Sequence, residues 1–360
     1  MKVGIFDPYL DDIGGGEKYM MSIAEYLSNK HKVVIFWDSK EDLERIHEQF
    51  SLDLSRCEVG ANIFSKSYGL FKRLFETRKF DAIIFLSDGS IPFVLSKRLY
   101  LHIQQPLSGM GDNSFKFKFK LSRISRILFN SEYSKSFVDP RIAERGVILY
   151  PPVGLNPKKV KKENIILHVG RFRVRNVGAT DYKKQDVMVA AFKKMVDRGD
   201  FRDWKFILAV GVHDEDKEEF RKIQESTKGY PIEFLVNLNN KKLWDVYSRA
   251  KLYWHASGYG EDLKAHPEYA EHFGISTVEA MGGGAVPIVI NAGGQREIVQ
   301  NGKNGFLWDT IDELMEKTNE LVRNNKLWEK MSNEAKIRST VFSNERFCKK
   351  LDAILLYNEA

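Results

Sequence analysis

A repeated alternation of short apolar runs with helical stretches limits, more than any other feature, what this chain can fold into. KVGIF (2–6), KVVIFW (32–37), DAIIFLS (81–87), RLYLHI (98–103) and RILFN (126–130) are such runs in the first half. IILHVG (165–170), KFILAVGV (205–212), IEFLVN (232–237), KLYWHAS (251–257) and AVPIVI (285–290) continue the pattern in the second. Runs this short, apolar throughout and separated by helices, predict parallel strands covered on both faces. With 360 residues the chain exceeds one ordinary domain, so two α/β domains are expected, each burying its own core. VILYPPVGLNPKKVKKEN (147–164) ends a strand and then supplies prolines and a basic polar segment, and it reads as the linker.

Composition narrows the class. A 43% hydrophobic and 29% charged content describes a globular chain. The only cysteines, Cys57 and Cys348, provide no disulfide framework and no close metal-ligand pair, which fits a reducing compartment. MKVGIFDPYLDD turns acidic too early for a signal peptide, and no run reaches the length of a spanning helix. The expected location is cytoplasmic. The net charge of +7 suits nucleic acid, anionic lipid or a phosphorylated substrate. Its cations are spread over both halves rather than set into a nucleic-acid module, so no nucleic acid is expected.

Two acids and two glycine clusters lie in EHFGISTVEAMGGGAVPIVINAGG (271–294). Glu271 precedes a helix-compatible run and Glu279 lies within it. Gly274 allows close backbone approach, and the amides of Ile275, Ser276 and Thr277 are first-turn donors suited to a phosphate or diphosphate. Asn291 to Gly294 form a turn at the carboxyl end of a strand, where open parallel sheets bind ligands. Near the N-terminus, Gly14, Gly15 and Gly16 follow a strand and open a helix. The loop from Asp7 to Ile13 is too long for the G-x-G-x-x-G dinucleotide turn.

The segment EHFGISTVEAM resembles the E-x7-E element of the family 4 retaining glycosyltransferases, nucleotide-sugar enzymes of the GT-B fold, and is similar to the mannosyltransferases of lipid-linked oligosaccharide assembly. The resemblance implies two Rossmann-like, doubly wound parallel-sheet domains with the donor site in the cleft between them. The expected domains are 1–152 for the acceptor and 153–340 for the donor, with a helix at 341–360 packing back on the first. The implied catalytic residues are Glu271 facing the donor sugar, His102 in LHIQQP, and Arg171 and Lys183 as diphosphate cations. The implied donor-binding residues are Gly15, Gly16, Gly170, Phe273, Gly274, Ile275, Ser276, Thr277 and Glu279, the last on the ribose hydroxyls. The nucleotide base is expected near Val212 and 236–238. Also implied are a GDP- or UDP-linked donor, no cofactor or metal, and front-face transfer to a glycan or lipid-linked acceptor. The chain departs from the pattern by inserting FRVRNVGATDY (172–182), which offers Arg173, Arg175 and Lys184 as rival cations, and by a long loop at 258–270.

Other patterns are weaker. DNSFKFKFKLSRISRI (112–127) alternates phenylalanine with lysine and reads as an extended segment with one apolar and one cationic face. GLFKRLFETRKF (69–80) sets apolar residues at helical spacing among cations. Together they make an anionic membrane surface a candidate partner and peripheral attachment at the inner face a candidate location. Asp214, Glu215 and Asp216 spell D-x-D at a helix start, where acids favour the dipole. His255, His266 and His272 lack ligand spacing. Two further readings are a nucleotide-sugar epimerase of the same architecture and a non-catalytic sugar-nucleotide binding subunit. The complete E-x7-E element speaks against the first, and the intact Glu271, Arg171 and glycines against the second.

Overall fold

The computed structural model describes residues 1–12, 14–173, 183–199, 201 and 203–356. The chain forms two compact units, Met1–Pro152 with Glu345–Ala360, and Val153–Asn344. The first holds a sheet of seven strands: β1 Lys2–Phe6, β2 Lys32–Phe36, β3 Glu58–Gly60, β4 Ala82–Leu86, β5 Arg98–Ile103, β6 Arg126–Phe129 and β7 Gly146–Ile148. Their order is β3-β2-β1-β4-β5-β6-β7 and every pairing is parallel. The second unit holds six strands: β8 Glu163–Phe172, β9 Lys205–Val212, β10 Ile232–Val236, β11 Ala250–His255, β12 Val286–Ile290 and β13 Phe306–Trp308. They pair in parallel in the order β10-β9-β8-β11-β12-β13.

Parallel pairing follows from the apolar runs. β4, AIIFL, is buried at every residue, as a strand covered on both faces must be. One face of the first sheet packs Ile5, Ile84 and Tyr100 under helix Gly15–Ser28 and helix Asn344–Leu356, the latter through Phe347, Leu351, Ile354 and Leu355. The other face packs Phe6, Phe36, Phe85 and Leu101 against Phe117, Leu121 and Ile142. β3 left no trace in the sequence because none of its three residues is fully buried, so it carries no apolar run.

The stretch Phe115–Ser122 is a helix, not an extended segment. Ser114 caps it by accepting the Phe117 amide at 3.0 Å, and Phe117 and Leu121, four residues apart, enter the core. Phe115 points outward at 83% exposure and Phe119 at 45%. The alternation has the strand period; the helix instead uses only Phe117 and Leu121 for the core and gains the Ser114 cap. Leu70–Thr77 is helical as its spacing predicts, with Phe71 88% exposed.

Candidate active site

In each all-parallel sheet the order in which strands are added reverses once, and in the second the reversal falls between β8 and β11. Ligands of open parallel sheets bind outside the carboxyl ends of such a pair. β8 delivers Gly170 and Arg171 there, and β11 delivers His255. The segment after β11 brings Glu271 to the same place, and Lys183 arrives just before helix Gln185–Asp197. Lys183 Nζ donates to Glu271 Oε2 at 2.7 Å, and His255 Nε2 donates to the same oxygen at 2.9 Å.

Both donors converge on one carboxylate oxygen, which leaves Oε1 for another donor, and Glu271 retains 20% side-chain exposure. Burial pushes the Glu271 carboxyl up; the Lys183 ammonium and the His255 hydrogen bond outweigh it and hold the acid well below the ordinary range. Burial also lowers the pKa of His255, which is therefore neutral. A carboxylate only accepts, so the proton of neutral His255 sits on Nε2 and Nδ1 carries a bare lone pair. Beneath it, His168 Nδ1 donates to the Trp254 carbonyl at 3.0 Å, and burial drives its pKa down to about 3. Gly170 matters by what it omits: a Cβ there would lie 3.1 Å from His168 Nε2 and 3.4 Å from Lys183 Cγ. The tighter of the two, against the buried His168 ring, is the contact that disfavours a side chain here.

Gly274 turns the chain into helix Ile275–Gly282 with φ 118°, a conformation costly for any other residue. A Cβ at that position would also strike Gln295 Nε2 at 2.6 Å. The Thr277 amide folds back onto the Gly274 carbonyl at 3.1 Å, and the Thr277 side chain is buried. The donors left facing outward are therefore the amides of Ile275 and Ser276, without Thr277. Ser276 Oγ lies 2.8 Å from the Tyr253 hydroxyl. Glu279 is buried, and Tyr247 Oη donates to its Oε2 at 2.9 Å. Phe273 is buried, its ring 5.3 Å from that of Phe342. Gly294 N donates to the Glu271 carbonyl at 2.8 Å, so the glycine turn after β12 fixes the backbone of the acid.

His255, Gln295, Tyr247 and Tyr253 escape sequence reasoning because each lies on an ordinary strand or helix. Only the folded register brings His255 to Glu271, Tyr247 to Glu279, Tyr253 to Ser276 and Gln295 to Gly274. Among the rival cations, Lys184 is committed to Glu261 of the 258–270 loop at 2.6 Å, Arg173 is exposed, and Arg175 lies outside the described residues. Beside Val212, Asn237 clamps the strand ends, its Oδ1 accepting the Val212 amide at 2.9 Å.

The first unit places the remaining expected residues. Gly15 and Gly16 open helix Gly15–Ser28, and Gln104 Nε2 donates to the Gly16 carbonyl at 3.1 Å. His102 is fully buried, stacked 4.3 Å beneath Tyr19, with Nδ1 donating to the Leu128 carbonyl at 3.2 Å. Burial lowers its pKa to about 3, so it is neutral and does not reach the surface. Asp214 of the D-x-D triplet pairs with Lys217 at 2.6 Å. The three histidines do not converge: His255 meets the Glu271 carboxylate, His266 the Glu268 carboxylate and His272 the Glu268 carbonyl. Among the described residues no cluster of three or more His, Cys, Asp or Glu is placed to hold a metal ion.

Two parallel-sheet units of this kind, the second carrying a paired acid beside a helix N-terminus, define the GT-B class of glycosyltransferases. Residues 156–338 match the family model of glycosyl transferases group 1. The chain belongs to that family and is a glycosyltransferase. It is 26% identical to the GDP-Man:Man(3)GlcNAc(2)-PP-Dol alpha-1,2-mannosyltransferase of Dictyostelium discoideum, over 96% of this chain and 83% of the relative. It is 25% identical to an uncharacterised glycosyltransferase of Methanocaldococcus jannaschii, over 96% and 95%. The crystal structure of a glycosyltransferase from Rickettsia africae shares its fold, with a TM-score of 0.74 and 16% identity over 98% of each chain. These relatives are transferases, and the epimerase reading has no support among them.

Proposed function

We propose that the protein is a retaining hexosyltransferase that moves mannose from a nucleoside-diphosphate sugar, GDP- or UDP-linked, to a hydroxyl of a glycan or lipid-linked acceptor. The observation that carries this reading is Glu271, ionised by Lys183 and oriented by His255, one turn before the outward amides of Ile275 and Ser276. The amides and Arg171 would hold the diphosphate, Glu279 the ribose, and Glu271 Oε1 a donor-sugar hydroxyl. As the sugar C1–phosphate oxygen bond breaks and the C1–acceptor oxygen bond forms on the same face, the acceptor proton passes to the departing phosphate oxygen. Fixed cations there stabilise the charge that develops. The donor named for the Dictyostelium relative, GDP-Man, makes mannose the favoured sugar. No metal enters this scheme.

The first unit would serve the acceptor, docking peripherally on an anionic cytoplasmic membrane surface through 69–80 and 115–127. In support, no described helix is long and apolar enough to cross a membrane, and Phe71, Phe75 and Phe115 are exposed beside lysines. The test is incubation with a panel of GDP- and UDP-sugars and lipid extracts, following nucleoside diphosphate release with and without chelator. Release from one sugar nucleotide, unchanged by chelator, is the expected result. Failure of GDP, UDP and ADP all to bind, or dependence on chelatable metal, overturns the site.

A further inference from the structure

The first sheet also has a reversal point, between β1 and β4, and a cavity of about 870 Å³ opens there. Phe6 ends β1 and Phe85 lies near the end of β4, and both rings face the cavity together with Phe64, Phe93 and Phe119. The rings form two aromatic groups in its lining: Phe6 stands 4.7 Å from Phe64 and 4.8 Å from Phe85, and Phe93 stands 5.9 Å from Phe119. Such a volume suits a ligand of some tens of atoms, and such walls suit hydrocarbon.

The charge around it is one-sided. Lys66, Arg73, Lys116 and Lys120 line the cavity against a single acid, Asp88. Asp88 is occupied by the amide and hydroxyl of Ser90, and Arg73 by the Ile63 carbonyl at 2.8 Å. Lys120 is half-buried and gives one N–H to the Ile91 carbonyl at 2.6 Å, which leaves two donors on its ammonium. Lys116 stands one helical turn away. Two ammonium groups at the rim of one aromatic cavity, whose single acid is already engaged by Ser90, suit an anionic ligand group. Leu70 and Phe119 also line the cavity, and their helices carry the exposed Phe71, Phe75 and Phe115, so the apolar path continues from the mouth onto the surface.

We propose that this cavity seats the lipid part of the acceptor: a phosphorylated long-chain alcohol, its chain along the phenylalanines and its phosphate on Lys116 and Lys120. This rests on the transferase reading for the word acceptor, and on the cavity alone for the binding. A bilayer headgroup would keep its chains outside the protein; a recessed aromatic wall behind the cations takes the chain inside.

Calorimetry on the full chain with monomeric farnesyl diphosphate tests it, with inorganic diphosphate, GDP and UDP as comparators. Farnesyl diphosphate should bind in the presence of saturating GDP and UDP, and inorganic diphosphate should not replace it. Phe119→Asp and Lys116→Gln, both at exposed positions, should each weaken it by at least about tenfold while leaving nucleotide binding unchanged. Displacement by GDP, equal binding of inorganic diphosphate, or capture of the lipid only when presented in anionic vesicles overturns the proposal. If nucleotide binds and farnesyl diphosphate does not, this proposal falls and the transferase reading stands. If farnesyl diphosphate binds and no nucleotide does, the donor site falls and the cavity stands.

Discussion

Glu271 and Glu279 are both carboxylates on one short segment, yet their surroundings differ, and the proposed function gives them different tasks. Glu271 meets two N–H donors on one oxygen and has the other to offer, whereas Glu279 is sunk beside Tyr247. Glu271→Ala should abolish transfer and spare nucleotide affinity, and Glu279→Ala should weaken nucleotide binding by roughly 1.5–3 kcal/mol, the worth of a charged-group hydrogen bond. Calorimetry with the nucleoside diphosphate separates them, and equal losses would refute the division. A third acid behaves differently. Asp7 is fully buried at the end of β1, and burial, with Glu17 nearby, raises its pKa from 3.8 to about 8. The unfolded chain gives up this proton first, so Asp7 makes the protein less stable as pH rises from about 4 to about 8. Asp7→Asn should therefore gain stability over wild type at pH 8 relative to pH 5 in denaturant melts; a constant difference would contradict the shift. The acids of the E-x7-E element could be read from the sequence because their spacing is local. His255 and Gln295 could not, since their importance arises from strand register and a glycine turn tens of residues away.

Among the elements, helix Phe115–Ser122 shows where sequence reasoning misled. FKFKFKL alternates as a strand does, but Phe117 and Leu121 also stand four apart, and the helix that seats this pair in the core is capped by Ser114 and leaves Phe115 and Phe119 exposed. Apolar runs such as AIIFL left no such ambiguity, because burial on both faces permits nothing polar in them. In the helical form the proposed membrane attachment rests on the exposed Phe115 and Phe119 and the neighbouring lysines rather than on an alternating strand. Phe115 and Lys118 are exposed away from the cavity, Lys116 and Phe119 are exposed at its mouth, and Phe117 and Leu121 anchor the helix. Each lysine near an anionic leaflet contributes about 1 kcal/mol. Wild type should pellet with anionic liposomes and leave them in high salt, and the triple change Lys116→Glu, Lys118→Glu, Lys120→Glu should stay in the supernatant. Pelleting by the triple variant would assign the segment to ordinary surface. The cap itself is open to test: Ser114→Ala should cost about 1 kcal/mol in chemical denaturation.

On the scale of the whole molecule, the first unit is made of two separate pieces of chain. Phe347, Leu351, Ile354 and Leu355 complete its core, and each fully buried apolar side chain contributes about 1.5–3 kcal/mol. Tyr26 Oη donates to Asp352 at 2.5 Å and Lys30 pairs with it at 2.8 Å, fixing the register of the returning helix. Removing residues 345–360 should therefore melt the first unit at lower temperature and leave the second intact, seen by calorimetry as a separated low-temperature transition. An unchanged first transition would show the helix to be dispensable. The same arrangement bears on biosynthesis. Domains usually fold in the order in which they leave the ribosome. Here the half that emerges first must wait, with one flank of its sheet uncovered, until all of 153–343 has been translated. The half begun second is the one finished first, and during that interval the nascent N-terminal segment is the natural client for a chaperone.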